Sequence, residues 1–169
     1  MPSMRLSPRA VLGGCALIGA AALAAAVVSQ HAFGFEPCSW CVLQRLIVLL
    51  LILVCAAGAL MGTRERPRRW PAWGALPLAL SGLGAALWQH FVAARSADCR
   101  LTLADRIVGG LHLADVWPSV FEATARCDEA NLPMLGVPYA IWSAVLFLLI
   151  AVASALAVRY RPNHMFLQS

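Results

Sequence analysis

Residues 42–61 read VLQRLIVLLLILVCAAGALM, an apolar run interrupted only near its start, by Gln44 and Arg45. About 20 mostly apolar residues in a helix are enough to cross the roughly 30 Å hydrocarbon layer of a bilayer. The run lacks the apolar–polar alternation of a barrel strand, and in lipid every backbone polar group must be paired inside its own segment. A membrane-spanning helix follows. Working outward, residues 11–29, 73–92 and 137–160 form three further runs of the same character. The 169 residues are 61% hydrophobic, with a mean hydropathy of +0.75, too apolar for a globule whose whole surface must be wetted. No repeat and no Gly/Ser-rich or Pro-rich linker divides the chain. The expected fold is therefore a single all-α membrane domain over 1–169, an antiparallel bundle of four transmembrane helices. Small residues along the first three runs (Gly14, Gly19, Ala24; Ala56, Gly58; Gly82, Gly84, Ala85) permit close helix approach.

The formal net charge is +5, and every basic residue is an Arg placed beside an apolar run rather than along a basic face. That pattern points to membrane topology and away from nucleic-acid binding. After threading four spans, Arg5, Arg9, Arg64, Arg66, Arg68, Arg69, Arg159 and Arg161 fall on one side. By the positive-inside rule this side is cytoplasmic, and so are both termini. The opposite side receives two loops, 30–41 and 93–136, the second carrying Asp98, Asp105, Asp115, Glu122, Asp128 and Glu129. Trp70, Trp73 and Tyr160 near one interface, and Trp88, Tyr139 and Trp142 near the other, fit aromatic belts as well as ordinary packing. The first run, preceded by Arg5 and Arg9, also resembles a targeting peptide, and the sequence before Cys15 a lipoprotein cleavage box. Its apolar core is longer than the usual 7–15 residues of a signal, and little apolar sequence precedes Cys15, so it is read as a retained helix.

The six cysteines separate by depth. Cys15 and Cys55 lie inside spans, where a thiol behaves as a small hydrophobe. Cys38 and Cys41 sit at the mouth of the second span, and Cys99 and Cys127 in the long outer loop. Four external cysteines in a compartment that permits disulfides read as redox pairs, most naturally Cys38–Cys41 and Cys99–Cys127. A zinc site would prefer two tight pairs, whereas only Cys38-Ser39-Trp40-Cys41 is tight; haem attachment would want His after Cys41, where Val42 stands. Two purely structural disulfides remain an alternative. What distinguishes Cys38–Cys41 is its setting: Cys41 opens a helix, where unpaired N–H groups and the dipole favour a thiolate. Arg45 follows one turn later on the same face. A cation at that depth is costly unless it serves a thiolate, an anionic reduced quinone or a headgroup phosphate, or snorkels to the interface. Gln44 can donate or accept a hydrogen bond, and His90, at the same end of the third span, could donate to a quinone carbonyl.

Glu36-Pro37-Cys38-Ser39-Trp40-Cys41, followed by Gln44-Arg45 and later by Cys99 and Cys127, resembles the disulfide bond formation protein B family over nearly the whole chain. The resemblance implies a thiol:quinone oxidoreductase of the bacterial inner membrane, its active cysteines periplasmic. It would oxidise a reduced periplasmic thioredoxin-like oxidase of the DsbA kind and pass the electrons to ubiquinone or menaquinone, sustaining protein disulfide formation. It further implies that Cys99 forms the mixed disulfide with the partner, that the Cys127 thiolate then joins Cys38, and that Cys41 is left as the thiolate facing the quinone. Arg45 would hold that charge, with Gln44 and His90 as further quinone contacts. Gln44 departs from the Glu common at this position in the family, which changes the local charge. The resemblance also implies a short helix lying on the membrane in the outer loop. Residues 101–121, with Leu103, Ile107, Leu111 and Val116 among charged and polar neighbours, read as such an amphipathic interfacial segment that Gly109 and Gly110 interrupt.

Two competing readings remain at this point. A chain resembling vitamin K epoxide reductase shares the architecture but places its tight cysteine pair after the separated one, the reverse of the order here. A non-catalytic membrane subunit would use its external disulfides as staples and bind no quinone.

Overall fold

The computed structural model describes residues 7–61, 65–95, 102–131 and 133–159, with the backbone alone for 65–69. Four long helices dominate: α1 (Pro8–Phe33), α2 (Ser39–Leu60), α3 (Glu65–Phe91) and α7 (Tyr139–Arg159). Each includes a stretch long and apolar enough to cross a membrane. Between α3 and α7 lie a 3₁₀ turn (Ala93–Arg95), three short helices α4 (Leu103–Gly110), α5 (Leu113–Val116) and α6 (Pro118–Phe121), and a small hairpin of β1 (Pro133–Met134) and β2 (Val137–Pro138). The expected helix bundle is found, with ends moved by local capping. Ser7 caps α1 by accepting from Ala10 N, and Pro8 occupies a first-turn position that needs no N–H donor. At its other end α1 runs on to Phe33, because Gly34 takes a left-handed conformation (φ +68°) and returns its N–H to Gln30 O. The third helix continues through Pro71 and Pro77.

In cross-section α2 packs between α1 and α3, and α3 packs along α7; α1 and α7 meet more sparsely and close the ring. Close approach depends on particular glycines. A Cβ on Gly58 would lie 2.7 Å from Pro71 and 2.8 Å from Leu12, so α1, α2 and α3 meet over it. A Cβ on Gly82 would overlap the ring of Phe147, which locks α3 to α7. Gly14 and Gly84 face open space, so the small-residue stripe is not uniformly a packing seam. The outer surface is apolar, with Leu17 73% and Leu156 62% exposed, while Gln44, Arg45, Gln89 and Ser154 are buried. This inside-out distribution is that of a protein solvated by lipid tails.

The outer-loop helices cover the Cys38 end of the bundle. Thr102 and Asp105 form a capping box at the start of α4. Asp105 also accepts a hydrogen bond from Ser39 Oγ, tying α4 to the first turn of α2. Gly109 and Gly110 end α4, and His112 turns the chain with a left-handed φ of +51° before α5. The interfacial segment is thus a string of short helices. Two left-handed residues, Leu135 (φ +55°) and Gly136 (φ +81°), turn the hairpin that feeds α7, and Trp142 Nε1 donates to Met134 O at 3.2 Å.

Candidate active site

Cys38 is extended and is the N-cap of α2. One helical turn separates Cys38 from Cys41, which brings both side chains to one side; their sulfurs are 3.3 Å apart, in hydrogen-bonding contact. The second loop is laid against the first. Thr124 N and Ala125 N both donate to Pro37 O, at 3.0 and 3.2 Å, which delivers Cys127 to the same spot. Cys38, Cys41 and Cys127 are all buried. Contact with the Cys127 thiol, opposed by Cys41 and reinforced by burial, pushes the Cys38 thiol up to about 12. Cys38 is therefore a poor place to leave a negative charge. Cys99 lies outside the described residues.

Arg45 is 6% exposed. Its Nη1 donates to Gln30 Oε1 at 2.7 Å and to Val120 O at 2.9 Å, and its Nη2 to Ala26 O at 3.3 Å. One guanidinium thus joins α1, α2 and α6, and among the described residues it has no carboxylate within ion-pair distance. It also lines a cavity of about 400 Å³ set between α1, α2 and α7. The polar end of this cavity carries Cys41, Gln44, Arg45, Ser29 and Tyr139. Its wall is apolar, and the exposed side chains of Trp142, Val145 and Leu149 rim it where lipid tails would pass.

Cys38, Cys41, Cys127, Gln44 and Arg45 are therefore brought together. His90 is not: it lies outside the cavity, half-buried, its ring edge-on to Phe91 at 4.8 Å and its Nδ1 without a partner among the described residues. Its neighbour Gln89 takes the inward position, wholly buried, with Nε2 3.1 Å from Cys41 Sγ. Gln44 Nε2 donates to Gln89 Oε1 at 2.5 Å. Sequence reasoning passed over Gln89 in favour of the titratable residue beside it. The signal was present: Ala75, Ala79, Gly82, Ala86 and Gln89 recur at steps of three and four, one buried stripe down α3.

The family model described as disulfide bond formation protein DsbB matches residues 8–157. The chain belongs to the disulfide bond formation protein B family. It is 32% identical over 161 residues to disulfide bond formation protein B of Aromatoleum aromaticum, covering 94% of this chain and 96% of that one. It is 33% identical over 128 residues to the protein of the same name in Pseudomonas syringae pv. tomato, 75% of each, and 29% identical over 162 residues to that of Paracidovorax citrulli, 93% and 90%. No solved structure matches at a significant level. Membership makes this disulfide bond formation protein B relative a multi-pass membrane protein with a role in disulfide bond formation.

Proposed function

We propose that this member of the disulfide bond formation protein B family relays electrons from a reduced thioredoxin-like oxidase of the DsbA kind, through Cys99–Cys127 and then Cys38–Cys41, to a membrane quinone, ubiquinone or menaquinone. In this reading it sits in the bacterial inner membrane with the cysteine end in the periplasm and the Arg9 and Arg159 end in the cytoplasm. The observation that carries it is that Cys41, the inner member of the tight pair, lines an apolar, lipid-side cavity together with Arg45. At about 400 Å³ the cavity is within the usual range for small-molecule sites, and its polar groups converge at the sulfur end as a ring with two carbonyl oxygens requires. Bound there, a quinone would supply the terminal acceptor for two electrons and two protons.

The chain's own steps are two disulfide exchanges. A partner thiolate attacks Cys99, the Cys99–Cys127 bond breaks, and the electron pair leaves on Cys127. The Cys127 thiolate, already beside Cys38, then attacks Cys38; the Cys38–Cys127 bond forms and the pair leaves on Cys41. Arg45 supplies a fixed positive charge to that end of the cavity in a water-poor setting, where such a charge is strongest. The partner's second thiolate then displaces Cys99 and leaves as the partner disulfide, and Cys99 attacks Cys127, re-forming Cys99–Cys127 and releasing Cys38; the Cys38 and Cys41 dithiol would give its two electrons and two protons to the quinone, so that partner dithiol plus quinone gives partner disulfide plus quinol.

The test is quinone reduction by the purified protein in detergent, driven by a reduced thioredoxin-like oxidase. Turnover in wild type that is lost in Cys41→Ser and weakened in Arg45→Ala supports the relay. No wild-type turnover with either quinone, or unchanged turnover in Cys41→Ser, overturns it.

A further inference from the structure

We infer that Gln89 is a catalytic residue: its side-chain amide donates to Cys41 Sγ and stabilises the thiolate released there, and Gln44 is the positioning residue that aims it. The inference rests on the proposed relay for its place in the reaction, though not for its test. Arg45 would be the obvious group to hold a thiolate at Cys41, but three of its five N–H groups are directed to Gln30, Ala26 and Val120. The donor in contact with the sulfur is Gln89 Nε2, at 3.1 Å from Cys41 Sγ and 3.7 Å from Cys38 Sγ. One amide nitrogen carries two hydrogens and can address both sulfurs of the pair.

The direction of the amide is set by Gln44, whose Nε2 donates to Gln89 Oε1 at 2.5 Å. With its oxygen engaged, Gln89 presents the NH₂ group to the cysteines. Gln89 is 0% exposed, so water does not compete for the sulfur from its side. A neutral donor brings no second charge into the membrane interior, yet its bond strengthens as the sulfur becomes anionic. In the exchange step the Cys127–Cys38 bond forms, the Cys38–Cys41 bond breaks and the electron pair goes to Cys41 Sγ; no proton moves. The amide therefore contributes most where charge appears. An ionised Glu at position 44 cannot donate. It would accept from the Gln89 NH₂ group instead and turn Oε1 toward the sulfurs.

The experiment uses full-length protein in detergent carrying Cys38→Ala, which leaves Cys41 a free thiol, and follows iodoacetamide alkylation of Cys41 against pH by mass spectrometry. Gln89→Met keeps the length and volume of the side chain and removes the donor. The expected result is a ten- to hundredfold slower alkylation at neutral pH, a pH profile displaced about one to two units alkaline, and recovery at high pH. Gln44→Leu, which removes the donor to Gln89 Oε1 without adding a charge beside Cys41, is expected to displace the profile in the same direction by a smaller amount. Coincident profiles for the parent and Gln89→Met overturn the inference; should Gln89→Met fail to fold, a coincident Gln44→Leu profile does so. Neither quinone nor partner enters this readout, so a failed quinone assay would refute the relay without bearing on Gln89.

Discussion

Arg45→Met separates charge from packing at the site. In stability, the variant loses two short bonds from a charged donor, to Gln30 and Val120, about 1.5–3 kcal/mol each, and a weaker third to Ala26. It gains relief from burying a guanidinium, several kcal/mol, and packs an apolar side chain worth about 2 kcal/mol. These terms cancel to within about 2–3 kcal/mol, so the melting temperature should move by no more than about 10 °C. In catalysis nothing offsets the loss: removing one preorganised electrostatic group of this kind costs about 10²–10³ in turnover. The assay is quinone reduction paired with thermal unfolding in the same detergent. Turnover within about threefold of wild type would refute the electrostatic role, and a melting shift beyond about 20 °C would make Arg45 first of all a staple.

Other outcomes follow from local geometry. Gly82→Ala should force α3 from Phe147 at a cost of about 1–3 kcal/mol, read as a lower melting temperature, while Gly84→Ala, which meets open space, leaves it unchanged; equal shifts would contradict the packing. The Cys38 thiol, raised from 9.0 to about 12, favours its neutral form, so at pH 9 about one molecule in a thousand is ionised where an ordinary thiol would be half ionised. Alkylation of reduced Cys38 should accordingly lag until strongly alkaline pH and move back toward pH 9 in Cys127→Ala; no movement would remove Cys127 as the cause. Burial pushes the Asp105 carboxyl up, but hydrogen bonds from Ser39 and Thr102 outweigh it and hold it below its usual 3.8. The sign is that of a depressed acid: the docking of α4 is fully held above the usual carboxylate range and is lost as pH falls through the lowered value. Amide exchange in 103–110 should stay slow down to pH 4 in wild type and become fast in Asp105→Asn at all pH; equal exchange would show that the latch does not hold α4.

The four spans were legible because 20-residue apolar runs are a local signal, and Gly109 and Gly110 ended α4 as their composition suggests. The helix ends were less so: the left-handed cap at Gly34 and the continuation through Pro71 and Pro77 depend on backbone states that composition only weakly indicates. The gathering of Cys38, Cys41 and Arg45 could be read from spacing within one helix turn and its neighbours. The acceptors of Arg45 could not, since Gln30 and Val120 lie 15 and 75 residues away in sequence and meet it only through tertiary packing. Gln89 was hidden by chemistry rather than by distance. A neutral amide draws less notice than His90 beside it, yet a rotation of about 100° per residue turns one inward and the other away.

The most direct test of the claim that Cys41 delivers electrons into the cavity between α1, α2 and α7 is to fill that cavity. Ala22 lines it from α1 and makes no contribution to the cysteine pairs. In Ala22→Trp, mixed-disulfide formation with a reduced thioredoxin-like oxidase should proceed as in wild type while quinone reduction falls to the level of Cys41→Ser. Quinone reduction at the wild-type rate in a folded Ala22→Trp protein would contradict the account.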